Sequence, residues 1–491
     1  MFSTMQSNKQ LTWPWLIPFC ADVFAIVAAY ATTYLLRFHS DFGVRLFNGL
    51  SRIVGTESGA VGDVLQDFYI HSALRLILII AILVCTLYVL RNLYAERDHL
   101  LPRAIAWDVV VANATALVIF YAYWYLTRNV YHPRSVFASL MVLNTVFCIA
   151  FRHLSTAILA GCRKRLGVDQ SRTLLAGHGR TAESIADLIT NHHPHGLYIG
   201  GRINTEGIPF DVGFDQMQQS IRKDKPDLLI CADPNHSVAN IMQILDMTQT
   251  AGIPVKILSH ELGILTTHAH VPCDHIHGEP LIHFDAPRGE GRIGKLRQGI
   301  TLLVASVMLL LVSPLLLLIA LLIRLTSHGP ALFIQERIGV NRRPFRLYKF
   351  RTMHTQAEEL LAQIEEFNES EGALFKIKKD PRITPIGRIL RRFSLDELPQ
   401  LFNVIKGDMV LVGPRPLPRR DFENYYEQWH YSRHAGLPGL TCLWQISGRS
   451  NISFHNMCIL DVYYLRNHSW IMDFKIALKT IRVVCFGEGA Y

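Results

Sequence analysis

The sequence predicts a membrane-embedded helical bundle, an α/β middle domain and a basic C-terminal domain that opens with a bent membrane helix. Three observations predict this class. Half of the 491 residues are hydrophobic and only 18% are charged, which is a high apolar content for a soluble enzyme. The apolar residues fall in long blocks. Between the fourth and fifth blocks, short apolar runs alternate with helical patterns. We place the domains at residues 1–165, 166–290 and 291–491.

Composition excludes several classes of protein. Glycine and proline are present at ordinary levels, 32 and 22 residues, which excludes a collagen-like chain, and the apolar fraction excludes a disordered one. The nine cysteines include no C-x-x-C pair, so neither a disulfide framework nor a structural zinc site is expected. The histidines form no H-E-x-x-H pattern, which also argues against zinc.

Four apolar runs near the N-terminus approach the ~20 residues that a helix needs to cross a bilayer. They cover residues 13–36, 71–90, 104–125 and 135–149. The first run is too long for a cleaved signal peptide. Lys and Arg follow the second run, at Arg91, Arg97 and Arg103, and the fourth, at Arg152 and residues 163–165. Because such charges mark cytoplasmic loops, we expect four crossings with both termini in the cytoplasm.

Asp22 is the acid placed deepest in an apolar run. A charge at that depth is costly, so a functional role is one hypothesis for it. The alternatives are that it pairs with a neighbouring helix or reaches the lipid headgroups.

The middle domain is predicted to be Rossmann-like. Strands are predicted at 172–176, 196–203, 227–231 and 255–258, and helices at 181–189 and 238–251. The turn from Gly177 to Ala182 has the shape of a dinucleotide fingerprint, but its last glycine is replaced by Ala182, and no acid for a ribose hydroxyl follows the second strand. Nucleotide binding and a structural or regulatory module both remain open.

The fifth apolar run, 299–323, has basic residues at both ends and Ser313-Pro314 at its middle. Proline removes a backbone hydrogen bond, and a nearby serine hydroxyl can satisfy the freed carbonyl. A helix that bends at Pro314 and returns to the cytoplasmic face would keep both basic flanks on one side. An ordinary kinked transmembrane helix is the alternative.

The positive charge of the chain lies mainly in its last part. Residues 321–491 carry 24 Lys and Arg against 17 Asp and Glu, an excess of seven in a chain of net charge +9. The basic residues are interleaved with Gly-Pro turns and apolar runs, which disfavours nucleic acid as a partner. Phosphate chemistry at a lipid surface fits this excess.

The adjacent acids Asp396 and Glu397 are the main candidates for catalysis, because Arg391, Arg392 and Arg415 accompany them. One acid can attack phosphorus while the other binds Mg²⁺ or handles a proton. The alternative is structural. Ser394-x-x-Glu397 matches a capping box, in which Glu397 would only satisfy a backbone N–H, although Pro399 argues against a helix running straight through.

Other residues of this region leave two interpretations open. Arg415 lies between two prolines, which suits a rigid phosphate contact but also an exposed turn. Trp444 and Arg449 could clamp a base or diphosphate, although a tryptophan next to apolar residues is more often part of the core. The acid-rich stretch 355–371 is predicted to be a solvated helix face.

From about Arg292 onward the chain resembles the bacterial sugar transferases, the monotopic phosphoglycosyl transferases, and as a whole it resembles their long polyprenyl-phosphate hexose-1-phosphate transferase branch. The matching motifs are Ser313-Pro314, Lys349-Phe350-Arg351-Thr352-Met353, Ser394 to Gln400, Gly413-Pro414-Arg415-Pro416, and Trp444-Gln445 with Ser447-Gly448-Arg449. The resemblance implies four membrane helices, a degenerate Rossmann-like domain and an α/β catalytic domain with a re-entrant helix at 299–323. It also implies a bacterial inner-membrane protein with a cytoplasmic catalytic domain.

The resemblance also implies an activity and site residues. Asp396 would attack the sugar-bearing phosphate of a UDP-sugar, releasing UMP, and undecaprenyl phosphate would then take the phosphosugar. Glu397, with Asp396, would hold Mg²⁺ or assist the lipid phosphate. The residues implied to bind substrate phosphates are Lys349, Arg351, Arg391, Arg415 and Arg449.

Within the family, the sequences at residues 461–464 and 489–491 most resemble those of the galactose phosphotransferases that initiate O-antigen, capsule or exopolysaccharide synthesis. Cys442, Val410 and Asn451 depart from the family pattern, which leaves the fine substrate geometry open. A homo-oligomer is also left open. The alternative functions are an NAD-dependent nucleotide-sugar dehydratase or epimerase, and a non-catalytic regulator of polysaccharide assembly.

Overall fold

The computed structural model describes residues 16–45, 47, 62–91, 93–94, 105–127, 134–166, 170–191, 196–286, 292–354, 357, 381–448 and 452–486. The chain divides into two compact units. One comprises residues 1–172 with 186–199, and the other comprises residues 173–185 with 200–491. The predicted boundaries at 165 and 290 remain predictions.

Four long helices form the N-terminal unit: α1 (Leu16–His39), α2 (Gly62–Leu90), α3 (Ile105–Thr127) and α4 (Arg134–Leu166). Each contains a stretch long and apolar enough to cross a membrane. Buried side chains from all four, such as Ile26, Val84, Ala116 and Phe137, pack into one core. The four predicted apolar runs are therefore confirmed as helices.

A buried ion pair joins the first and fourth helices. Arg152 donates from Nε to Asp22 Oδ1 at 2.8 Å and from Nη2 to Oδ2 at 2.5 Å, and Tyr94 Oη donates to Oδ2 at 2.9 Å. Arg152 Nη1 also donates to the Leu93 carbonyl at 2.9 Å. The side chains of Arg152 and Asp22 are 4% and 0% exposed. Asp22 thus pairs with a neighbouring helix, as one of the alternatives predicted.

The position of Arg152 corrects one prediction. The sequence placed Arg152 in a loop after the fourth run, but α4 continues through it to Leu166. Asp22 neutralises the guanidinium and the Tyr88 and Tyr94 rings lie beside it, so the helix buries this charge instead of ending at it.

The middle region is an α/β fold around a six-stranded mixed sheet. Its strands are β1 (Ser171–Ala176), β2 (Leu197–Ile203), β3 (Leu228–Cys231), β4 (Val255–Leu258), β5 (Asp274–Ile276) and β6 (Glu279–Phe284), in the order β2-β1-β3-β4-β6-β5. Strand β3 pairs parallel with β1 and β4, while β6 pairs antiparallel with β4 and β5. The four predicted strands are confirmed.

Helices α5 (Gly179–Asn191), α6 (Phe210–Asp224), α7 (Val238–Ala251) and α8 (Gly263–Thr267) accompany this sheet. The predicted helices at 181–189 and 238–251 correspond to α5 and α7. The sequence analysis missed α6 and the β5-β6 hairpin. Residues 274–276 give too short a run to predict as a strand, and pairing with β6 stabilises it.

In the turn after β1, close packing requires the first residue to be glycine. Gly177 has φ +154°, and a Cβ there would lie 2.8 Å from the Ala232 methyl carbon. A side chain would clash with the chain leaving β3, so glycine is needed for close backbone approach. This contact accounts for Gly177 without a phosphate.

The C-terminal part begins with α9 (Arg292–Thr326), followed by strands β7 (Leu332–Ile338) and β8 (Pro344–Phe350), which form an antiparallel hairpin. Helices α10 (Pro385–Arg392) and α11 (Leu401–Lys406) flank a 3-10 turn at Leu395–Gln400. Strands β9 (Val410–Val412) and β11 (Gly439–Thr441) pair in parallel, and β10 (Leu417–Pro418) pairs with β7. Helices α12 (Arg419–Asn424), α13 (Phe454–Asn467) and α14 (Trp470–Phe486) complete the described chain.

Helix α9 runs without a break through Pro314. Ser313 Oγ donates to the Leu310 carbonyl at 2.8 Å. That carbonyl is the one that loses its backbone partner, because residue 314 has no N–H. The serine hydroxyl therefore replaces the missing hydrogen bond, which lets proline occupy the middle of an apolar helix.

Both halves of α9 pack on the same small group of elements. Before Pro314, Ala305 and Leu309 lie against Leu347 of β8 and Leu401 of α11. After Pro314, Ile319 and Ile323 join a cluster with Phe350 and Leu390. The strand β8, which carries Lys349, is thus supported by the helix on both sides of the proline.

In the C-terminal unit, one hydrophobic core contains residues from both sides of the predicted boundary at residue 290. It includes Ile282 and Phe284 of the mixed sheet together with Ile459 and Tyr463 of α13. The Phe284 and Tyr463 rings meet edge to face at 5.7 Å. The mixed sheet and α13 therefore pack as one body.

We predict that Arg152→Ala lowers the free energy of unfolding of the helical bundle by about 3–5 kcal/mol, because Asp22 is left buried without its partner. Asp22→Ala combined with Arg152→Ala should recover part of that loss. Thermal unfolding in detergent measures both.

The control for this pair is Asp108→Asn, which breaks the contact between Arg91 and Asp108 at 3.0 Å, where the side chains are 36% and 21% exposed. It should cost no more than about 1 kcal/mol. Equal losses for Arg152→Ala and Asp108→Asn would contradict the account of the buried pair.

Candidate active site

The two candidate acids lie on a short 3-10 turn between two helices. Asp396 and Glu397 belong to the turn Leu395–Gln400, which Ser394 enters with a left-handed φ of 52°. Pro399 lies inside the turn, and α11 starts at Leu401. As predicted, no α-helix runs straight through Pro399. The turn contacts β8 and brings Glu397 within hydrogen-bond distance of Lys349 on that strand.

The capping-box interpretation of Ser394 and Glu397 is wrong. The Ser394 side chain makes no capping hydrogen bond, and the Glu397 carboxylate is engaged elsewhere. Lys349 Nζ donates to Glu397 Oε1 at 2.9 Å, and Arg415 Nη2 donates to the same oxygen at 2.7 Å. Arg415 Nη1 lies 3.5 Å from Oε2. Glu397 therefore joins three separate segments of the fold.

Electrostatics separate the two acids. Burial alone would raise the pKa of Glu397, but the charges of Arg415 and Lys349, with their hydrogen bonds, hold that pKa well below its usual range. Burial raises the pKa of Asp396, and the neighbouring Glu397 raises it further, against the opposing charges of Lys349, Arg391 and Arg415. Glu397 is thus a fixed anion, and Asp396 is the more basic carboxylate.

Asp396 also differs from Glu397 in its contacts. Within the described part of the chain, the Asp396 carboxylate accepts no hydrogen bond and forms no ion pair. It lies half-buried in the field of Lys349 and Arg415, whose hydrogen bonds are made with Glu397. An unpaired, partly accessible carboxylate in a positive field is the arrangement that a nucleophile toward phosphate requires.

Lys349 is placed by strand β8, and Asn403 fixes that strand. Fully buried Asn403 accepts from the Tyr348 N–H at 3.1 Å and donates to the Arg346 carbonyl at 2.6 Å. These two bonds tie β8 to α11, which continues directly from the acidic turn. The sequence analysis missed Asn403, because an asparagine within an apolar run gives no signal before its partners are known.

Arg415 is placed by three consecutive carbonyl groups. Pro414 O accepts from the Gly439 N–H at 2.8 Å, Arg415 O from Arg433 Nη2 at 2.7 Å, and Pro416 O from Arg337 Nη1 at 3.2 Å. Each donor belongs to a different element. The backbone that carries Arg415 is therefore held as a rigid support, as its flanking prolines suggested.

Arg337 is a second residue that the sequence analysis did not assign. Its Nη2 donates to Gln335 Oε1 at 2.6 Å. Burial, with the charge of Arg415, lowers the pKa of Arg337 to about 10. Its proximity to Arg415 depends on the pairing of β10 with β7, which joins segments far apart in the sequence.

The structure gives Arg351 partners outside the acidic cluster. Its guanidinium donates to the His328 carbonyl at 2.7 Å, to the Ser327 carbonyl at 2.9 Å and to Ser327 Oγ at 2.6 Å. These residues directly follow α9. Arg351 thus holds the C-terminal end of that helix, and its contact with substrate phosphate stays a prediction.

The other predicted residues lie as follows. Arg391 Nε donates to Thr352 Oγ1 at 2.9 Å, and its charge acts on Asp396. Trp444 is 8% exposed, belongs to the core and lies beneath the Arg415 guanidinium at 5.9 Å. Arg449, Asn451 and residues 358–371 and 489–491 lie outside the described residues. Ser313 and Pro314 lie at the middle of α9.

The donor set fits one kind of metal ion. In the described part of the chain, no group of three or more His, Cys, Asp and Glu side chains is arranged to hold a metal. Asp396 and Glu397 supply two adjacent carboxylates. Mg²⁺ typically uses one or two carboxylates and completes its shell with water and substrate phosphates, so these residues suit Mg²⁺ that arrives with a diphosphate.

Comparison with known proteins identifies relatives of this part of the chain. The family model described as bacterial sugar transferase matches residues 294–487. The galactosyl transferase CpsE of Streptococcus agalactiae is 48% identical over 163 residues, which are 33% of this chain and 36% of that protein. The undecaprenyl-phosphate galactose phosphotransferase of Salmonella typhimurium is 42% identical over 167 residues, which are 33% of this chain and 35% of that protein.

A shorter relative is covered almost completely. The exopolysaccharide production protein ExoY of Rhizobium meliloti is 41% identical over 202 residues, which are 40% of this chain and 89% of that protein. The matches thus span only about a third of the first two relatives but nearly all of the third. On this coverage the chain belongs to the bacterial sugar transferase family.

Proposed function

We propose that this protein transfers a hexose 1-phosphate from a UDP-sugar to undecaprenyl phosphate and releases UMP. The observation that carries the proposal is the contrast within the acid pair. Glu397 is fixed by Lys349 and Arg415, while Asp396 lies beside them without a partner among the described residues.

The chemistry takes two steps at Asp396. In the first, a carboxylate oxygen of Asp396 attacks the sugar-bearing phosphorus. The new bond is a phosphosugar-aspartyl anhydride, the diphosphate P–O bond breaks, and its electron pair leaves with UMP. In the second, an oxygen of the lipid phosphate attacks the same phosphorus and Asp396 departs as a carboxylate. Each anionic substrate therefore meets the site in turn.

The surrounding cations lower the cost of bringing phosphates to an acid. Lys349 Nζ forms one hydrogen bond with a described residue, that to Glu397, so further N–H groups remain for a phosphate oxygen. Arg391 and Arg415 add positive charge that acts on Asp396. Their role is to offset the charge that develops on the transferring phosphoryl group.

Mg²⁺ is the metal we propose, held by Asp396 and Glu397. When bound, the ion would neutralise charge on the diphosphate and stabilise the departing UMP. The protein residues would supply the carboxylate oxygens, while Lys349 and Arg415 keep Glu397 ionised at neutral pH.

Galactose is the proposed sugar, and initiation of a capsule, O-antigen or exopolysaccharide is the proposed setting. The names of the Streptococcus and Salmonella relatives include galactose, and that of the Rhizobium relative includes exopolysaccharide production. The geometry of the site supports the phosphate chemistry rather than a particular hexose.

We further propose that α9 is re-entrant and that the site faces the cytoplasm of a bacterial inner membrane. At the first turns of α9, Arg297 donates to Asp473 Oδ2 from Nε at 3.0 Å and from Nη2 at 2.6 Å. At its far end, Ser327 is held by Arg351. A straight crossing of ~30 Å of hydrocarbon would separate these two ends, whereas a bent helix keeps both beside the same polar domain.

For the activity, we predict UMP release from UDP-galactose in the presence of Mg²⁺ and undecaprenyl phosphate. Asp396→Asn should lower the turnover rate by roughly 10³-fold or more, because the nucleophile is removed. The exposed acid Glu423, 59% exposed on α12, provides the control Glu423→Gln, which should match the parent protein.

The same assay identifies the sugar when UDP-galactose, UDP-glucose and their N-acetylated forms are compared. If galactose is the transferred sugar, UDP-galactose should give the highest kcat/KM of the four substrates. The proposed function fails if no UDP-hexose yields UMP, or if Asp396→Asn retains full activity.

For the helix, we predict that cysteines introduced one at a time at Gln298 and His328, at the two ends of the apolar run 299–323, react with a membrane-impermeant maleimide from the same side. In intact cells both should stay unlabelled, and in inside-out vesicles both should be labelled. Ser58→Cys, in the predicted periplasmic segment, is the opposite control, and the parent protein gives the baseline. Labelling of either flank from outside intact cells would refute the re-entrant arrangement.

A further inference from the structure

We propose that Arg433, paired with Asp461, is a positioning residue for the transfer reaction: it fixes the backbone of Arg415 and thereby the guanidinium that holds Glu397. This inference rests on the proposed function. Neither residue belongs to the acidic turn or to the motifs around Lys349 and Arg415.

The contacts form one continuous chain. Arg433 Nε and Nη2 donate to Asp461 Oδ2 at 3.0 and 2.5 Å, and Nη2 also donates to the Arg415 carbonyl at 2.7 Å. Its Nη1 donates to Tyr426 Oη at 3.0 Å. From Arg415, Nη2 reaches Glu397 at 2.7 Å. Asp461 is thus linked to the acid pair through two arginines.

Burial makes this chain rigid. The side chains of Arg433 and Asp461 are each 1% exposed, and Arg433 is among the largest fully buried side chains of the described chain. A buried guanidinium with acceptors in three directions has no alternative arrangement that keeps its hydrogen bonds. Its planar fork therefore sets the position of the Arg415 carbonyl.

The anchor of the chain is helix α13, which carries Asp461. That helix packs on the mixed sheet through Tyr463 and Phe284. Asn467 Nδ2 also ties it to the sheet by donating to the His283 carbonyl at 2.8 Å, and Arg466 ties it to α7 by donating to the Leu245 carbonyl. The Arg415 backbone is therefore tied, through Arg433 and Asp461, to a helix that the mixed sheet and α7 hold in place.

A positioning role differs from simple packing in what it predicts. An error in the position of Arg415 would shift the Glu397 carboxylate and the field at Asp396, which affects the transition state more than substrate binding. A role limited to folding would lower stability and leave the kcat of the folded protein unchanged.

The test substitutes Arg433→Lys in the full-length protein. Lysine keeps a cation for Asp461, but a single ammonium cannot reproduce the fork that reaches Asp461 and the Arg415 carbonyl together. We expect kcat for UMP release to fall roughly 10- to 100-fold, with the KM for UDP-galactose changed by less than about threefold. Asp461→Asn, which keeps the shape and loses the charge, should show the same pattern.

Arg152→Lys is the matched control, because it makes the same exchange in the buried ion pair with Asp22 of the helical bundle. It should retain the parent kcat. A double-mutant cycle with Arg415→Lys gives the readout that a packing role would not produce. If Arg433 acts through Arg415, adding Arg433→Lys to Arg415→Lys should cost less than threefold further.

The inference would be overturned if folded Arg433→Lys and Asp461→Asn kept the parent kcat. It would also be overturned if the losses in the cycle were independent and multiplied, or if both variants failed to fold. These outcomes differ from failure of the proposed function, in which the parent protein itself releases no UMP from any UDP-hexose.

Discussion

The pairing of Glu397 with Lys349 and Arg415 is the interaction on which the rest of the C-terminal architecture depends. The three side chains are 15–27% exposed, so their charges are largely removed from water. Removing one partner of such a cluster leaves an uncompensated charge, at a cost on the order of 3 kcal/mol. The strand β8, the acidic turn and the Pro414 to Pro416 segment are each supported where they deliver one member. The consequence for chemistry is that the positive field is built around Glu397, while Asp396 lies inside that field without a hydrogen-bond or ion-pair partner among the described residues.

Helix α9, which contains a candidate membrane span, packs against the strand that carries Lys349 of this cluster. Ser313 replaces the hydrogen bond that Pro314 removes, so the apolar helix tolerates the proline, and the two halves support β8 from separate clusters. Arg351, two residues beyond Lys349, holds the end of the same helix. Arg351 of the motif from Lys349 to Met353 therefore stabilises the fold, whereas Lys349 binds Glu397. The motif thus combines an anchor for α9 with a cation that binds Glu397.

Much of the fold could be predicted from the sequence, because its signals are local. Apolar length identified the five candidate membrane helices of the described residues, and alternating runs identified strands β1 to β4. Contacts between distant segments could not be predicted. The sequence predicts Arg152 to be a charged residue of a loop, because its neutralising partner Asp22 lies 130 residues away along the chain. Arg337 and Arg433 resemble ordinary surface arginines until the carbonyls of Arg415 and Pro416 are placed beside them. The acid pair itself was identified, but the difference between a fixed Glu397 and an unpaired Asp396 depends on three segments that meet only in the folded chain.

The central claim, that Asp396 is the free nucleophile beside a fixed Glu397, is tested most directly by looking for the covalent intermediate. The protein would be incubated with UDP-galactose and Mg²⁺ without lipid acceptor, quenched, digested and analysed by mass spectrometry. We predict a hexose phosphate on the peptide that contains Asp396, absent from Asp396→Asn and discharged when undecaprenyl phosphate is added. Full turnover with no adduct, or an adduct on Glu397 or another residue, would contradict the account.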